Sequence, residues 1–259
     1  MGSSRLPGKV LLDLAGEPVL RRVVERTRRA NTIHQVVIAT TTESGDDPLV
    51  DYCERHAYPV YRGSLHDVLD RYYQAAREFE AETIVRITAD CPLIDPQVID
   101  RTVEAFRGAP LPNLQCLNPG LPGGYVFCAN RLPPPWGRTY PIGLDTEVCA
   151  FQDLETVWRE AQQPHQREHV MPYFYDHQEL FKILLVHHEK DLGRLRLTVD
   201  TAEDLELLRQ IYARFSGRDD FSWLEVVSLL EREPELVALN ARVQHKHYQQ
   251  IDERRQPGK

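Results

Sequence analysis

The stretch that decides the fold is 82–106, ETIVRITADCPLIDPQVIDRTVEAF. Its first part, ETIVRITAD, is an apolar, β-branched run that reads as a buried strand, and its end carries an acid, Asp90. DPQVIDRTVEAF then reads as a helix. Asp95 stands where an N-cap side chain would accept from the first free amides, and Pro96 takes the first helical position, where a missing N–H costs nothing. Strand, acid and helix in direct succession make half of a βαβ unit.

The same alternation extends toward the N-terminus. AGEPVLRRVVERTRRA (15–30) has helical spacing, HQVVIATTT (34–42) is a strand running into a loop, and DDPLVDYCERH (46–56) is helical. YPVYRGS (58–64) is a strand and LHDVLDRYYQAAREFE (65–80) an amphipathic helix. The expected fold is α/β, a Rossmann-like and mostly parallel central sheet with helices on both faces. Ligands of such sheets bind outside the carboxyl ends of the strands. Thr40–Thr42, Arg62–Ser64 and Asp90 all fall at those ends.

Past this half, residues 108–140 are rich in Pro, Gly and Asn and read as a loop or arm whose one strand candidate is YVFCANRL (125–132). LDTEVCAF, FKILLVHH and LRLTV read as strands, and DLETVWREAQ, HQREHVMPYFYDH and TAEDLELLRQIYARF as helices. Thr201 with Asp204 at N3 approaches a capping box. Two further helices, around SWLEVVSLLERE and ELVALNARVQHK, divide the chain into a domain at 1–217 carrying the 108–140 arm and a helical extension at 218–259, with DERRQPGK frayed at its end.

The bulk numbers exclude several classes. With 259 residues and a net charge of −8, the surface repels nucleic acid, and no basic stripe offsets it. No run approaches a membrane span. Five scattered cysteines without a CxxC pair imply reduced thiols and a cytoplasmic protein.

Two stretches carry chemistry. GSSRLPGK (2–9) offers backbone amides, hydroxyls, Arg5 and Lys9 to phosphate, without the glycine spacing of a Walker A loop. The same composition also suits a disordered start. LRLTVDTAEDL places Asp200 at a strand end before a helix, the local setting of Asp90. Two such acids on one sheet edge suit Mg²⁺, which binds through one or two carboxylates plus substrate phosphates. Capping is the competing role, for Asp200 less than for Thr201. Cys91 reads as a buried thiol and Trp136 as a packing anchor or a partner contact.

In order along the chain, MGSSRLPGKVLLDLAGEPVL, RGSLHDVLDRYYQAA, VRITADCPLIDPQVID, YPIGLDTEV, QREHVMPYF and LRLTVDTAEDLELL resemble the cytidylyltransferase-like family that includes spore-coat polysaccharide biosynthesis proteins. More distantly they are similar to the synthetases of CMP-linked sialic acid, pseudaminic acid and KDO. The resemblance spans residues 1–215 or so. It implies a nucleotide-diphospho-sugar transferase fold, CTP and a small sugar as substrates, Mg²⁺ as cofactor and a homodimer. By position it implies that Gly2, Ser3, Ser4, Arg5 and Lys9 bind the triphosphate, with Arg5 and Lys9 stabilising the leaving pyrophosphate, and that Asp90 and Asp200 bind the metal. Arg62 and Ser64 fall at a nucleotide-contacting segment. Asp145, Glu147, Arg167, Glu168 and His169 fall on the acceptor side. The implied reaction transfers CMP from CTP to a sugar, such as a 2-keto sugar acid, for surface polysaccharide.

Relatives carry a short apolar strand ahead of the loop, so the first strand is expected to be missing here. A chain longer by about ten residues, roughly 3.3 Å of strand each, is expected to be more stable and more active. Two rivals remain: a glycosyltransferase, which would want a DxD pair that ADCP does not supply, and a catalytically impaired nucleotide-binding protein.

Overall fold

In a computed structural model, which describes residues 2, 3, 5–244 and 249, the chain forms three sheets. Ser4 and the tail DERRQPGK lie outside the described residues. A two-residue hairpin, β1 (Asp13–Leu14) with β2 (Glu17–Pro18), leads into α1 (Val19–Arg28). A parallel pair follows, β3 (Ile38–Thr41) beside β4 (Val60–Gly63), with α2 (Asp47–Arg55) as its crossover.

Next come α3 (Val68–Glu78), β5 (Thr83–Arg86), α4 (Pro96–Phe106), β6 (Leu114–Leu117) and β7 (Phe127–Ala129). They are followed by β8 (Glu147–Ala150), α5 (Phe151–Glu160), α6 (Pro164–His169), α7 (Pro172–Asp176) and β9 (Ile183–Val186). The last helices are α8 (Ala202–Arg214), α9 (Trp223–Arg232) and α10 (Pro234–Ala238).

The central sheet has the order β5-β8-β7-β9-β6. Its strands obey the two-residue period of a pleat. Phe127, Ala129, Cys149, Ile183 and Leu185 face one core with Leu69 of α3, Leu154 of α5 and Phe174 of α7. Cys128, Val148, Leu184 and Val186 face the other, with Val23 of α1, Ile99 of α4 and Trp223 of α9. Helices therefore cover both faces, as the alternation predicts. Phe127 is fully buried and stacks on Phe174 with ring centroids 4.9 Å apart. Truncating such a ring costs roughly 3–5 kcal/mol.

The sheet is mixed, not mostly parallel. β8 runs antiparallel to both β5 and β7, and β6 antiparallel to β9; only β7 and β9 pair in parallel. The sequence of the second half lacks a helix between β6 and β7 and between β7 and β8, and a parallel crossover needs about a dozen residues, usually helical. Three other expectations shift. HQREHVMPYFYDH is two short helices, because Val170 adopts φ 73° and Pro172 restarts the chain. LRLTV is extended but makes only one bridge, Ile142 with Arg196. The 108–140 arm contains a second strand, β6.

The parallel pair and the central sheet share no ladder among the described residues. The facing edges of β3 and β5 flank a cavity of about 640 Å³, roofed by α1, α3 and α4 side chains such as Val24, Ala76 and Val103. The C-terminal helices pack into the same cores as the rest. α9 shares a cluster with α8 through Leu208 and Val226, and Trp223 N donates to the Asp95 carboxylate at 2.9 Å.

Candidate active site at the strand ends

Two strand-end segments are stapled together, and the staple brings the two acids to one place. Val199 N and Thr198 Oγ1 both donate to the Asp90 carbonyl, at 2.8 and 2.9 Å. Asp90 and Asp200 thus end neighbouring extended segments although 110 residues separate them in sequence. Gly143 permits the close packing of the adjoining loop. It sits at φ 104°, and a Cβ there would come within 2.5 Å of the Leu197 carbonyl oxygen.

Lys9 joins the acids. Its Nζ donates to Asp90 Oδ2 at 2.6 Å and to Asp200 Oδ1 at 2.7 Å. Gly8, at φ 68°, turns the chain into the 3-10 turn Lys9–Leu11, and Val10 and Leu11 pack against the core of Leu20, Val24, Leu49, Cys53 and Tyr58, which Ile38 and Ala89 also border. The flexible-looking start is thereby pinned against the sheet edge. Arg5 adds a second cation, with Nη2 3.0 Å from Asp200 Oδ2. Ser3 Oγ accepts from Leu6 N at 3.3 Å and Gly2 is exposed, both at the start of the same loop.

Burial opposes the charge on Lys9, but Asp90 and Asp200 outweigh it and raise its pKa, so it is an ammonium at neutral pH. Burial also pushes the Asp200 carboxyl up. The Lys9 charge and hydrogen bond, the Arg196 hydrogen bond and the Arg5 charge overcome that and hold it far below the usual carboxylate range.

Sequence reasoning missed the base of this cluster. Arg196 Nη2 donates to Asp200 at 2.6 Å, while its Nε and Nη2 reach Asp204 at 2.9 and 3.0 Å. Asp204 is fully buried and also accepts from Asp200 N, Thr201 N and Asn240 Nδ2. The capping box of Thr201 and Asp204 is present, so one carboxylate caps α8 and aims Arg196. The signal was available: Arg196 lies four residues before Asp200 on an apolar strand, where a charge needs a partner.

The two carboxylates already share one cation, the Lys9 ammonium, and are oxygen donors of the kind a divalent cation takes. Bonded to one ammonium, their oxygens are no more than about 5.3 Å apart. Oxygens on one Mg²⁺, at roughly 2.1 Å each, span up to about 4 Å. Among the described residues no group of three or more His, Cys, Asp or Glu side chains gathers, so substrate oxygens would have to complete such a shell. Cys91 is buried beside Asp90, and burial with the Asp90 and Asp145 charges pushes its thiol well up, which suits a packed thiol and not a nucleophile.

Arg62, Ser64 and Arg167 are engaged in bracing neighbouring elements, and Asp145 and Glu147 belong to a second charged cluster beside the acid pair. Arg62 binds the Thr41 and Glu43 carbonyls and pairs with Asp47 at 2.7 Å, bracing the loop after β3. Ser64 Oγ accepts from His66 N and Asp67 N, a turn before α3. Arg167 clamps Asp67, the N-cap of α3, with Nε 3.0 Å from both carboxylate oxygens. Glu168 and His169 close α6 beside it. Asp145 pairs with Arg138 at 2.7 Å, and the 1%-exposed Glu147 pairs with Arg86. Trp136 packs against the core that holds Phe127.

Comparison with known proteins finds likeness over most of the chain. The profile of a family described as cytidylyltransferase matches residues 1–220. The spore coat polysaccharide biosynthesis protein SpsF of Bacillus subtilis is 30% identical over 242 residues, 91% of this chain and 92% of that one. A 3-deoxy-manno-octulosonate cytidylyltransferase of Trichlorobacter lovleyi is 29% identical over 191 residues, 66% of this chain and 74% of that one. Among solved structures, a cytidylyltransferase from Leptospira borgpetersenii superposes with a TM-score of 0.79 at 30% identity, covering 95% of each chain. The fold is that of the nucleotide-diphospho-sugar transferases. No helix among the described residues is long and apolar enough to cross a membrane.

Proposed function

The chain belongs to the cytidylyltransferase family, and from that premise we propose that it transfers the cytidylyl group of CTP to a sugar acid for surface polysaccharide. The observation that carries this reading is Lys9 held between Asp90 and Asp200 at the sheet edge. An acceptor oxygen attacks the α-phosphorus and loses its proton, the bond from that phosphorus to the bridging oxygen breaks, and pyrophosphate leaves with the electron pair. The reaction needs positioning and charge neutralisation more than covalent help from the protein.

Asp90 and Asp200 are the residues that would hold Mg²⁺, which when bound neutralises phosphate oxygens. Lys9 and Arg5 turn from their carboxylates to the departing pyrophosphate, a charge-assisted contact. Arg196, fixed by Asp204, keeps Asp200 ionised and aimed. The 3-deoxy-manno-octulosonate cytidylyltransferase relative supports a sugar acid as acceptor class, and the SpsF relative supports polysaccharide as the destination.

The test is pyrophosphate release with each of the four common nucleoside triphosphates against a panel of 2-keto sugar acids. Release with CTP and at least one sugar acid is expected. No release in any pairing would overturn the reading.

A further inference from the structure

Beside the acid pair lies a second charged cluster, and its charges do not balance. Among the described residues, Arg86, Arg131 and Arg138 pair with two carboxylates, Asp145 and Glu147. Arg138 takes Asp145 in a two-toothed pair, Nη1 to Oδ1 at 2.7 Å and Nη2 to Oδ2 at 3.2 Å. Arg86 takes Glu147 across the β5–β8 ladder, where the two residues are register partners. Arg131 is left with ionic contacts alone, 3.7 Å to Asp145 and 3.6 Å to Glu147. Its Nε is buried and makes no hydrogen bond. Burial works against its charge, and Glu147 and Asp145 more than restore it, so the guanidinium stays cationic.

The fold holds Arg131 in this position deliberately. Residues 131–138 form a proline-rich hairpin in which Arg131 bridges Arg138 and Leu132 N donates to the Gly137 carbonyl at 3.0 Å. Leu132 and Trp136 anchor the hairpin on the core. At its base the buried Asn130 donates to the Leu144 carbonyl at 2.7 Å and accepts from Thr146 N at 2.9 Å, which fixes Arg131 against Asp145. The Asp145 charge in turn reaches Cys91, the neighbour of Asp90.

A buried donor left unsatisfied is costly, and a surplus guanidinium matches one planar anion through two parallel hydrogen bonds. We propose that Arg131 anchors the carboxylate of the acceptor, Arg138 and Arg86 having taken the direct hydrogen bonds of Asp145 and Glu147. This rests on the sugar-acid reading above and assigns the proline-rich hairpin its purpose: presenting beside the reacting centre one arginine whose buried Nε has no hydrogen-bond partner.

The test uses the full chain with isotope-labelled arginine, the Arg131 Nε–H resonance being assigned by its loss in Arg131→Lys. Pyruvate, the smallest 2-keto carboxylate, is titrated in parallel with pyruvamide, its uncharged counterpart. Pyruvate should shift the Arg131 resonance saturably and pyruvamide should not. In Arg131→Gln the pyruvate dissociation constant should rise on the order of 10- to 100-fold, with CTP affinity unchanged. A silent Arg131, or an equal response to pyruvamide, overturns the proposal in the wild-type protein even if the variant fails to fold. A pyruvate response without pyrophosphate release in any pairing upholds this site and defeats the reaction; release with a silent Arg131 does the reverse.

Discussion

Replacing Asp200 with Asn separates the two duties of the site. Asp200 faces Lys9 at 2.7 Å, Arg196 at 2.6 Å and Arg5 at 3.0 Å. Asn keeps the shape and removes one negative charge. The cations keep other partners, Lys9 with Asp90 and Arg196 with Asp204. The stability loss is therefore limited, about 1–2 kcal/mol, a few degrees of Tm for a chain of this size. A unit charge about 5 Å from a phosphate, at an effective dielectric near 20, is worth roughly 3 kcal/mol. The Asp200 side chain is 17% exposed and salt screens it, so about half survives, near one factor of ten in affinity. Without divalent ions, Asp200→Asn should then bind CTP about tenfold tighter, while its turnover with Mg²⁺ falls about 100-fold or more. Calorimetry with CTP in a chelator gives the first number and pyrophosphate release the second. Weaker metal-free binding, or undiminished turnover, would refute the electrostatic reasoning.

Three other expectations follow from the same charges and packing. The depressed Asp200 carboxyl gives stability that is fully present above the unfolded aspartate value of about 3.9 and is lost as pH falls through the lower folded value. Urea titrations should show a gap between wild type and Asp200→Asn that is constant from pH 7 to about 5 and closes below about 4; a gap that persists in acid contradicts the ion-pair account. Asp204→Asn strips the buried Arg196 of its main partner and should cost about 3 kcal/mol, the low end for a buried pair because Asp200 remains; a denaturation midpoint equal to wild type would show that Asp204 carries no load. An apolar, β-branched peptide of about ten residues should enter the slot between β3 and β5 and raise Tm by about 5 °C or more; unchanged melting would mean that the slot does not accept a strand.

The sequence announced what local patterning controls. Asp95 caps α4 and Thr201 with Asp204 caps α8 because capping is a matter of three or four residues. Helices on both faces were legible from the strand–helix alternation. Asp90 and Asp200 could be paired because both end apolar strands, and resemblance gave them a role. Sheet direction was not legible, since β6, β7 and β8 are joined by irregular chain whose path only tertiary packing selects. Arg131 escaped, and Glu147 was placed by resemblance without its partners, for a similar reason: those partners lie across a ladder or around a hairpin, not at a fixed spacing. Arg62 and Ser64, placed by resemblance at a nucleotide-contacting segment, brace a loop and a turn, contacts that their spacing alone does not announce.

The central claim is that the Lys9, Asp90 and Asp200 cluster serves cytidylyl transfer to a sugar acid. The most direct measurement follows label from CTP radiolabelled at the α-phosphate into product, with a 2-keto sugar acid and Mg²⁺. The account predicts that α-label appears on the sugar acid, that γ-label appears only in pyrophosphate, and that Asp90→Asn and Asp200→Asn each abolish the transfer while remaining folded. Label that stays in nucleotide products, or transfer that survives both substitutions, would contradict it.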